Sequence, residues 1–202
     1  MTRKRSRANT EQRFQDAVVE LVAESGCAQL GVNLVAERAG FDKVLIYRYF
    51  GDLDGLLERV ADSRPWLPSA DELLASVPGD PARVLAELAR LISQHVRMDA
   101  ATHQLCLWRH AVKNPLTARL TADWKELWKE LPVRLGAGLD YEARQNWEKA
   151  CALLALATEA GLMDEAIDLS ALDALSNELV AADVGADSPA AVEEDRLPTN
   201  LL

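Results

Sequence analysis

The sequence predicts an all-α protein, built as an N-terminal three-helix domain followed by a C-terminal helical bundle. Apolar residues recur at three- and four-residue spacing in most segments, and Gly and Pro fall between those segments. We find no alternating strand pattern and no internal repeat. With 202 residues, 49% of them hydrophobic, the chain is long enough to bury a substantial core. These features exclude a disordered or fibrous protein.

The first helix is predicted to begin at Asn9 or Thr10, because either side chain can cap a helix and Gln12 completes a capping-box pattern with Asn9. Gly26 is the expected stop signal. Between them, one helical face carries the apolar residues Phe14, Ala17, Val18, Leu21 and Val22.

Three shorter helices follow with very short connections. Gly31 is the expected N-cap of a second helix, which ends with Ala39 before Gly40. Asp42 caps a third helix over residues 43–49, and a fourth begins near Leu53.

Pro65 and Pro68 mark the expected domain boundary, since proline interrupts helical periodicity. The amphipathic pattern predicts further helices at 71–76, from Pro81 through Val96, through Ala111, from Pro115 to Pro132, at 141–162 and at 168–184. Residues 150–157 are apolar all round that helix, so either the chain's own core or a partner chain must cover them. The tail, 185–202, has little to bury and is expected to be disordered.

Charge is distributed unevenly. Residues 1–60 hold nine Lys/Arg and nine Asp/Glu, so the whole net charge of −10 lies in residues 61–202. Four basic residues in an acid-free N-terminal arm could follow a phosphate backbone or enter a minor groove, or could be a solubilising terminus: Arg3, Lys4, Arg5 and Arg7. An acidic remainder that avoids a polyanion favours the first interpretation.

Two short helices joined by a tight turn at residues 39–42 match a helix-turn-helix, whose second helix enters the major groove. The segment AGFDKVLIYRYFGDLDGLL, residues 39–57, closely resembles the signature of TetR-like transcriptional regulators. The resemblance covers residues 10 to about 60. It implies an operator-binding domain at 1–60 and an effector-binding, dimerising domain at 61–184.

The resemblance and the side-chain chemistry together select candidate DNA contacts. Arginine can bond guanine bidentately, and Lys and Tyr suit phosphates or base edges. The candidates, in addition to the basic arm, are Asn33, Lys43, Val44, Leu45, Tyr47, Arg48 and Tyr49. Amphipathic packing is the alternative role for one of the two tyrosines, whereas Ile46 and Phe50 are expected to pack on Phe14 and Val18.

The sequence departs from the family pattern at Gly31, Val44, Leu45 and Leu53, where members often carry Thr, Gly or another small residue, or Lys. These losses predict fewer phosphate bonds. The basic arm could offset them, the operator could be unusual, or Val44 and Leu45 could contact thymine methyl groups.

An aromatic-lined effector pocket is expected in the second domain. Its candidates are His103, Cys106, Trp108, His110, Trp124, Trp128 and Trp147. His103, Cys106 and His110 also share one helical face and could be metal ligands, but no fourth ligand is evident and no metal or cofactor is expected. Large aromatic residues are also common core residues.

No phosphate-binding loop, nucleophile triad or zinc-protease motif occurs, so no enzyme activity is expected. Glu159 and Asp164 are interpreted as helix-surface charges. Three cysteines without a Cys-x-x-Cys pair and no apolar run of 18 residues predict a cytoplasmic protein that neither spans a membrane nor is exported.

The resemblance implies a repressor that binds a palindromic operator as a homodimer, with two recognition helices about 34 Å apart. The dimer would form through residues 141–162 and 168–184, and a small apolar or aromatic effector would release the DNA. Two alternatives remain open: a helical binding protein with a degenerate helix-turn-helix, and a small all-α enzyme using His103 and His110. The effector, the operator and the direction of regulation do not follow from the sequence.

Overall fold

The computed structural model describes residues 2–77, 81–138 and 141–163. These ranges contain nine α-helices and no strand, which confirms the predicted all-α fold. The helices are α1 (Thr2–Ser25), α2 (Val32–Ala39), α3 (Val44–Phe50), α4 (Leu53–Ala61), α5 (Ala70–Ser76), α6 (Pro81–Met98), α7 (Ala100–Trp108), α8 (Pro115–Leu135) and α9 (Tyr141–Met163).

Helix α1 begins at Thr2, seven residues before the earliest predicted start, so the basic arm is the first part of a helix. The predicted capping box of Asn9 and Gln12 is wrong, because Asn9 lies inside α1 and the Gln12 amide donates to Asp16, 2.9 Å away. Residues 3–8 include four Arg or Lys and no Gly or Pro, and such residues extend a helix readily.

The predicted boundaries of α2, α3 and α4 are confirmed to within a residue or two. Gly31 is the N-cap of α2, and Gly40 ends that helix in the left-handed region at φ 74°. The carboxylates of Asp42 and Asp52 accept hydrogen bonds from the backbone N–H groups of Val44 and Gly55, each at 2.8 Å. Asp52 is therefore the side-chain cap of α4, whereas the N-cap of α3 is Lys43, one residue after the predicted Asp42.

Two predicted helix ends in the second half are wrong. Helix α8 continues through Pro132 to Leu135, since a proline in the last turn removes only one helical hydrogen bond. The carbonyl of Pro132 still accepts from the Gly136 N–H at 2.9 Å. Helix α7 ends at Trp108 instead of Ala111, and residues 109–111 form a turn.

The two halves of the chain share a continuous core. Helix α1 packs against α2, α4 and α7, and α4 packs against α8. The connection between α4 and α5 is part of this core: the Trp66 side chain is fully buried and its indole N–H donates to the Ala61 carbonyl at 3.0 Å. The predicted boundary near Pro65 is therefore a packed joint.

Helix α9 packs one face against α6 and α8, where Cys151, Leu154 and Thr158 are buried. The opposite face is not covered: Leu153 is 47% exposed and Leu156 is 67% exposed. The chain's own described core therefore covers only part of the apolar stretch. The helix predicted at 168–184 and the tail predicted at 185–202 lie outside the described residues.

Candidate DNA-binding surface and interior charged centre

Helix α3 presents a continuous exposed face. Val44 is 61% exposed and Tyr47 is 53% exposed, and Lys43 and Arg48 are exposed beside them. The opposite side of α3 carries Ile46, which is fully buried. A short helix with one anchored side and one solvent-facing side is what insertion into a major groove requires.

A small aromatic cluster holds α3 on α1. The ring of Phe14 is fully buried and lies edge-to-face with Phe50 at 6.1 Å and tilted against Phe41 at 5.7 Å. The predicted packing of Phe50 on Phe14 is confirmed. This cluster sets the angle at which α3 leaves the domain surface.

Lys43 and Asn33 lie together on the surface, as the Lys43 ammonium donates to the Asn33 side-chain oxygen at 3.0 Å. This bond joins the first turn of α2 to the N-terminus of α3. In the part of the chain that the structure describes, Arg48 is exposed and its guanidinium has no ion pair. Arg38, in contrast, is held by Glu20 and Glu24.

Leu45 and Tyr49 do not belong to the exposed face of α3. Leu45 is half-buried and packs against the core, so it is less exposed than the sequence suggested, and its DNA contact stays a prediction. Tyr49 is half-buried beside Phe50, with the Arg7 guanidinium 4.8 Å above its ring. Arg7 also bonds Glu11 at 2.6 Å. The side chains of Arg3, Lys4 and Arg5 lie outside the described part, so their DNA contacts stay a prediction.

Packing explains two of the four departures from the family pattern. Leu45 and Leu53 are half-buried against the hydrophobic core, where an apolar side chain is favourable. Gly31 serves as the extended N-cap of α2. Val44 is the one of the four that projects as an exposed apolar side chain from α3.

The predicted effector residues divide into some that lie apart from one another and a group that lies together. Trp108 lies against Gly26 at the end of α1, where an added Cβ would come within 2.1 Å of the indole nitrogen. Its N–H donates to Gln104 at 3.2 Å. Trp108 therefore joins α7 to α1. His103 and Trp147 are half-buried elsewhere on α7 and α9.

The other group surrounds a buried cation, Arg109, whose side chain is only 4% exposed. Arg109 Nη2 lies 2.7 Å from Glu159 Oε1, and His110 Nε2 lies 2.5 Å from the same oxygen. The guanidinium lies 4.4 Å above the ring of Trp124, which meets Trp128 edge-to-face at 6.0 Å. We call these five residues the Arg109 centre: Arg109, His110, Trp124, Trp128 and Glu159.

Burial and charge act together on this centre. Desolvation raises the pKa of Glu159, but hydrogen bonds and charge from Arg109 and His110 outweigh it, so the pKa lies below the ordinary 4.5. Burial raises the pKa of the nearby Cys106 thiol to about 11, which makes it neither a nucleophile nor a ready metal ligand at neutral pH. Within the described ranges, no three His, Cys, Asp or Glu side chains are grouped to hold a metal ion.

Sequence reasoning missed Arg109 and interpreted Glu159 only as a helix-surface charge, whereas its carboxylate also pairs with Arg109. Glu159 is 30% exposed and bridges α9 to the end of α7. The available signal was the position of Arg109, four residues after the buried Leu105 and therefore on the buried face of that helix. A charged residue on such a face needs a partner of opposite charge.

Ion pairs fasten the joint between the two halves to the C-terminal helices. Arg119 on α8 bonds Asp62 at the end of α4 at 2.7 Å, and Arg134 bonds Asp71 at the same distance. Arg64 bonds Asp99, the N-cap of α7. The N-terminal half is thus tied to α7 and α8 by charge as well as by core packing.

An open groove of about 660 Å³ lies between α5 and α6, at the packed joint. Its lining includes Pro65, Leu73, Leu91 and His95. None of the predicted effector residues lines this groove.

Among the described helices, none is both long enough and apolar enough to cross a bilayer.

The chain is similar to known proteins both in the segment that contains the helix-turn-helix and in its fold. Residues 15–60 match the family model for bacterial regulatory proteins, tetR family. No curated protein matches the chain. A TetR-like transcriptional regulator from Rhodococcus sp. RHA1 is similar in structure, with a TM-score of 0.56 at 20% identity over 87% of this chain and 96% of that one.

Two further solved structures share the fold. The fatty acid degradation regulator FadR from Bacillus halodurans has a TM-score of 0.53 at 18% identity, covering 87% of this chain and 95% of its own. A putative TetR-family regulator from Syntrophomonas wolfei has a TM-score of 0.54 at 13% identity, with the same coverage of both chains.

The anchored α3 with its exposed face is the second helix of a helix-turn-helix, on a chain that shares the fold of these solved structures. Residues 15–60 match the tetR family of bacterial regulatory proteins, which confirms the resemblance seen in this part of the sequence. The matched family model describes bacterial regulatory proteins, a class of DNA-binding proteins and not of enzymes.

Proposed function

We propose that the protein is a ligand-responsive repressor that binds a palindromic operator as a homodimer and leaves it when a small apolar or aromatic effector binds. Residues 1–60 would contact DNA, and residues 61–184 would bind the effector and dimerise. The observation that carries the proposal is the exposed face of α3, formed by Lys43, Val44, Tyr47 and Arg48.

This face supports sequence-specific binding because it combines three kinds of contact. Arg48 is unpaired among the described residues and can reach a guanine edge or a phosphate. Tyr47 offers a hydroxyl at the centre of α3, and Val44 offers a methyl surface for a thymine methyl group. Asn33 and Lys43 lie together at the edge of this face, where they would contact a phosphate.

The uncovered side of α9 supports a homodimer. Leu153 and Leu156 are exposed on the helix predicted to pair with its symmetry mate. An exposed apolar face on a long helix is a typical oligomer surface. A two-fold dimer would place two α3 helices on one face of DNA, as a palindromic operator requires.

The contact of α7 with α1 supports effector control. Arg109 of the Arg109 centre directly follows Trp108, which packs on Gly26 at the end of α1. An effector that changes the position of α7 would change the position of α1 and therefore the spacing of the α3 helices. The effector acts by binding one spacing more tightly than the other.

Fluorescence anisotropy with the protein's own upstream intergenic DNA and a scrambled duplex, titrated with salt, tests DNA binding. We expect saturable binding that prefers the native duplex and weakens as salt rises. Arg48→Ala should weaken it by about tenfold or more, the cost of one good base or phosphate contact. Arg90→Ala is the matched control, since Arg90 is an exposed arginine on α6, paired with Glu87.

Equal and weak binding to both duplexes would contradict the proposal and favour the alternative of a degenerate helix-turn-helix. So would an equal effect of Arg48→Ala and Arg90→Ala, because general loss of positive charge would then explain both. The exposed Val44, in place of a polar residue, is the feature that would account for such a loss.

A further inference from the structure

We propose that the Arg109 centre receives a carboxylate of the effector, and that Glu159 occupies this place as an internal substitute when no effector is bound. The effector class is an aromatic carboxylate. This inference rests on the proposed effector control and specifies its chemistry.

The first argument is that the Arg109–Glu159 pair leaves binding capacity unused. A guanidinium can bond both oxygens of one carboxylate in a bidentate pair. Here the contacts from Arg109 and His110 converge on the same oxygen, Glu159 Oε1. His110 is exposed, and its Nε2 also lies 3.3 Å from Arg109 Nε, so the guanidinium meets Glu159 through Nη2 alone. A second carboxylate could therefore meet the guanidinium in a better geometry than Glu159 does.

The second argument is that two buried polar groups, on two helices that pack against each other, have no hydrogen-bond partner within the described residues. They are the indole N–H of Trp128 on α8 and the hydroxyl of Thr158 on α9. Thr158 is fully buried and directly precedes Glu159. The indole nitrogen can only donate a hydrogen bond, and the hydroxyl can also donate one. An acceptor atom can therefore satisfy either group.

The third argument concerns the shape and charge of the ligand. The rings of Trp124 and Trp128 meet edge-to-face beside the guanidinium, and such rings bind another aromatic ring well. A neutral ligand that displaced Glu159 would leave Arg109 buried without a counter-charge, which is strongly unfavourable. A ligand must therefore bring a negative charge together with its aromatic surface.

Exchange of one carboxylate for another would also change how the helices are joined. Glu159 connects α9 to Arg109, which is the C-cap of α7. When a ligand carboxylate takes its place, α7 loses this connection to α9. Trp108, the neighbouring residue, transmits the displacement to Gly26 and α1. The proposed exchange thus supplies the differential binding that effector control needs.

Isothermal titration calorimetry of the full chain without DNA tests the inference. The probes are benzoate and 2-naphthoate, each compared with its primary amide, which has nearly the same shape and no charge. We expect the carboxylates to bind at least tenfold more tightly than the amides. Failure of both carboxylates to bind, or equal binding of acids and amides, overturns the inference.

Two variants locate the site. Arg109→Gln should abolish carboxylate binding, but removal of the partner of Glu159 could also unfold the chain, so circular dichroism accompanies it. Glu159→Gln keeps the cation and removes its competitor, so we expect carboxylate binding to tighten by about tenfold. Weaker binding by Glu159→Gln overturns the inference. Glu126→Gln, at an exposed Glu on α8, is the matched control and should change nothing.

The anisotropy assay separates this inference from the proposed function. If the carboxylates bind through Arg109 yet leave operator binding unchanged, the anion site stands and effector control by that site fails. If a neutral aromatic compound releases the operator while the carboxylates do not bind, effector control stands and the inference fails.

Discussion

At the scale of single residues, Gly26 shows how one missing side chain joins the two halves of the molecule. Its backbone lies in the left-handed region at φ 73°, and the indole of Trp108 occupies the space that a Cβ would take. Both features require glycine, since other residues adopt this backbone conformation at a cost and none would fit beneath the ring. The end of α1 and the end of α7 are in close contact for this reason.

Gly26→Ala should therefore lower the free energy of unfolding by about 2 kcal/mol or more, from backbone strain and the displaced indole together. Urea denaturation measures the change. Gly31→Ala is the control, because Gly31 has a negative φ and open space around its Cβ position. Its effect should stay near 0.5 kcal/mol. Equal effects of the two variants would show that the contact with Trp108 contributes little.

The Arg109 centre and the neighbouring Cys106 show the limit of sequence reasoning. Cys106, His110, Trp124 and Trp128 were selected by residue type, and the structure brings these four to one place. Arg109 and Glu159 were not selected, since they are 50 positions apart and meet only because α7 packs against α9. Periodicity describes one helix at a time and cannot identify such a pair.

At the scale of helices, α3 depends on the aromatic contacts beneath it. Phe14 supports both Phe50 and Phe41, so the orientation of the recognition helix depends on one ring of α1. Phe41 and Phe50 lie within residues 15–60, which match the family model, and Phe14 directly precedes that range. Stability and DNA binding should therefore change together when this ring is altered.

Phe14→Leu should reduce the free energy of unfolding by about 1–2 kcal/mol, because leucine keeps most of the buried volume and loses the aromatic contacts. It should also weaken operator binding, as α3 loses its fixed angle. Phe41→Leu is the comparison, since Phe41 is 36% exposed and lies at the edge of the cluster. Thermal unfolding and anisotropy give the two readouts. An unchanged DNA affinity in a destabilised Phe14→Leu protein would contradict the role in positioning α3.

Helix boundaries were predictable where strong local signals fix them. Gly31, Gly40 and Asp52 set the ends of α2 and α4 through backbone geometry or a side-chain cap. The start of α1 was not predictable, because Asn9 can also lie inside a helix. The end of α8 was not predictable either, because the last turn of a helix tolerates a proline such as Pro132. The absence of a strong stop lets tertiary packing extend a helix.

At the scale of the whole molecule, charge and apolar surface divide the protein by function. The first sixty residues are neutral overall with four cations before residue 8, whereas the remainder carries the entire net charge of −10. Repulsion from the DNA polyanion would keep the second half away from the duplex. The exposed leucines of α9 lie in that second half, where they would be free to meet a partner subunit.

Leu153→Glu combined with Leu156→Glu should convert a dimer into a monomer, because charges would replace the apolar surface that two subunits bury. Sedimentation equilibrium should give twice the chain mass of 22.2 kDa for the parent protein and the single mass for the variant. Met98→Glu is the control, since Met98 is 81% exposed on α6. A parent protein that sediments as a monomer at micromolar concentration would contradict the proposed dimer.

Helix α1 also gives the molecule a mechanical lever. Its 24 residues form a rod about 36 Å long, with the basic residues at its N-terminal end and the contact with Trp108 at its C-terminal end. A tilt of about 5° at that contact would move the N-terminal end by about 3 Å, without any change inside the helix. A small rotation in the acidic half would thus be amplified into a displacement large enough to misalign side chains with a groove edge.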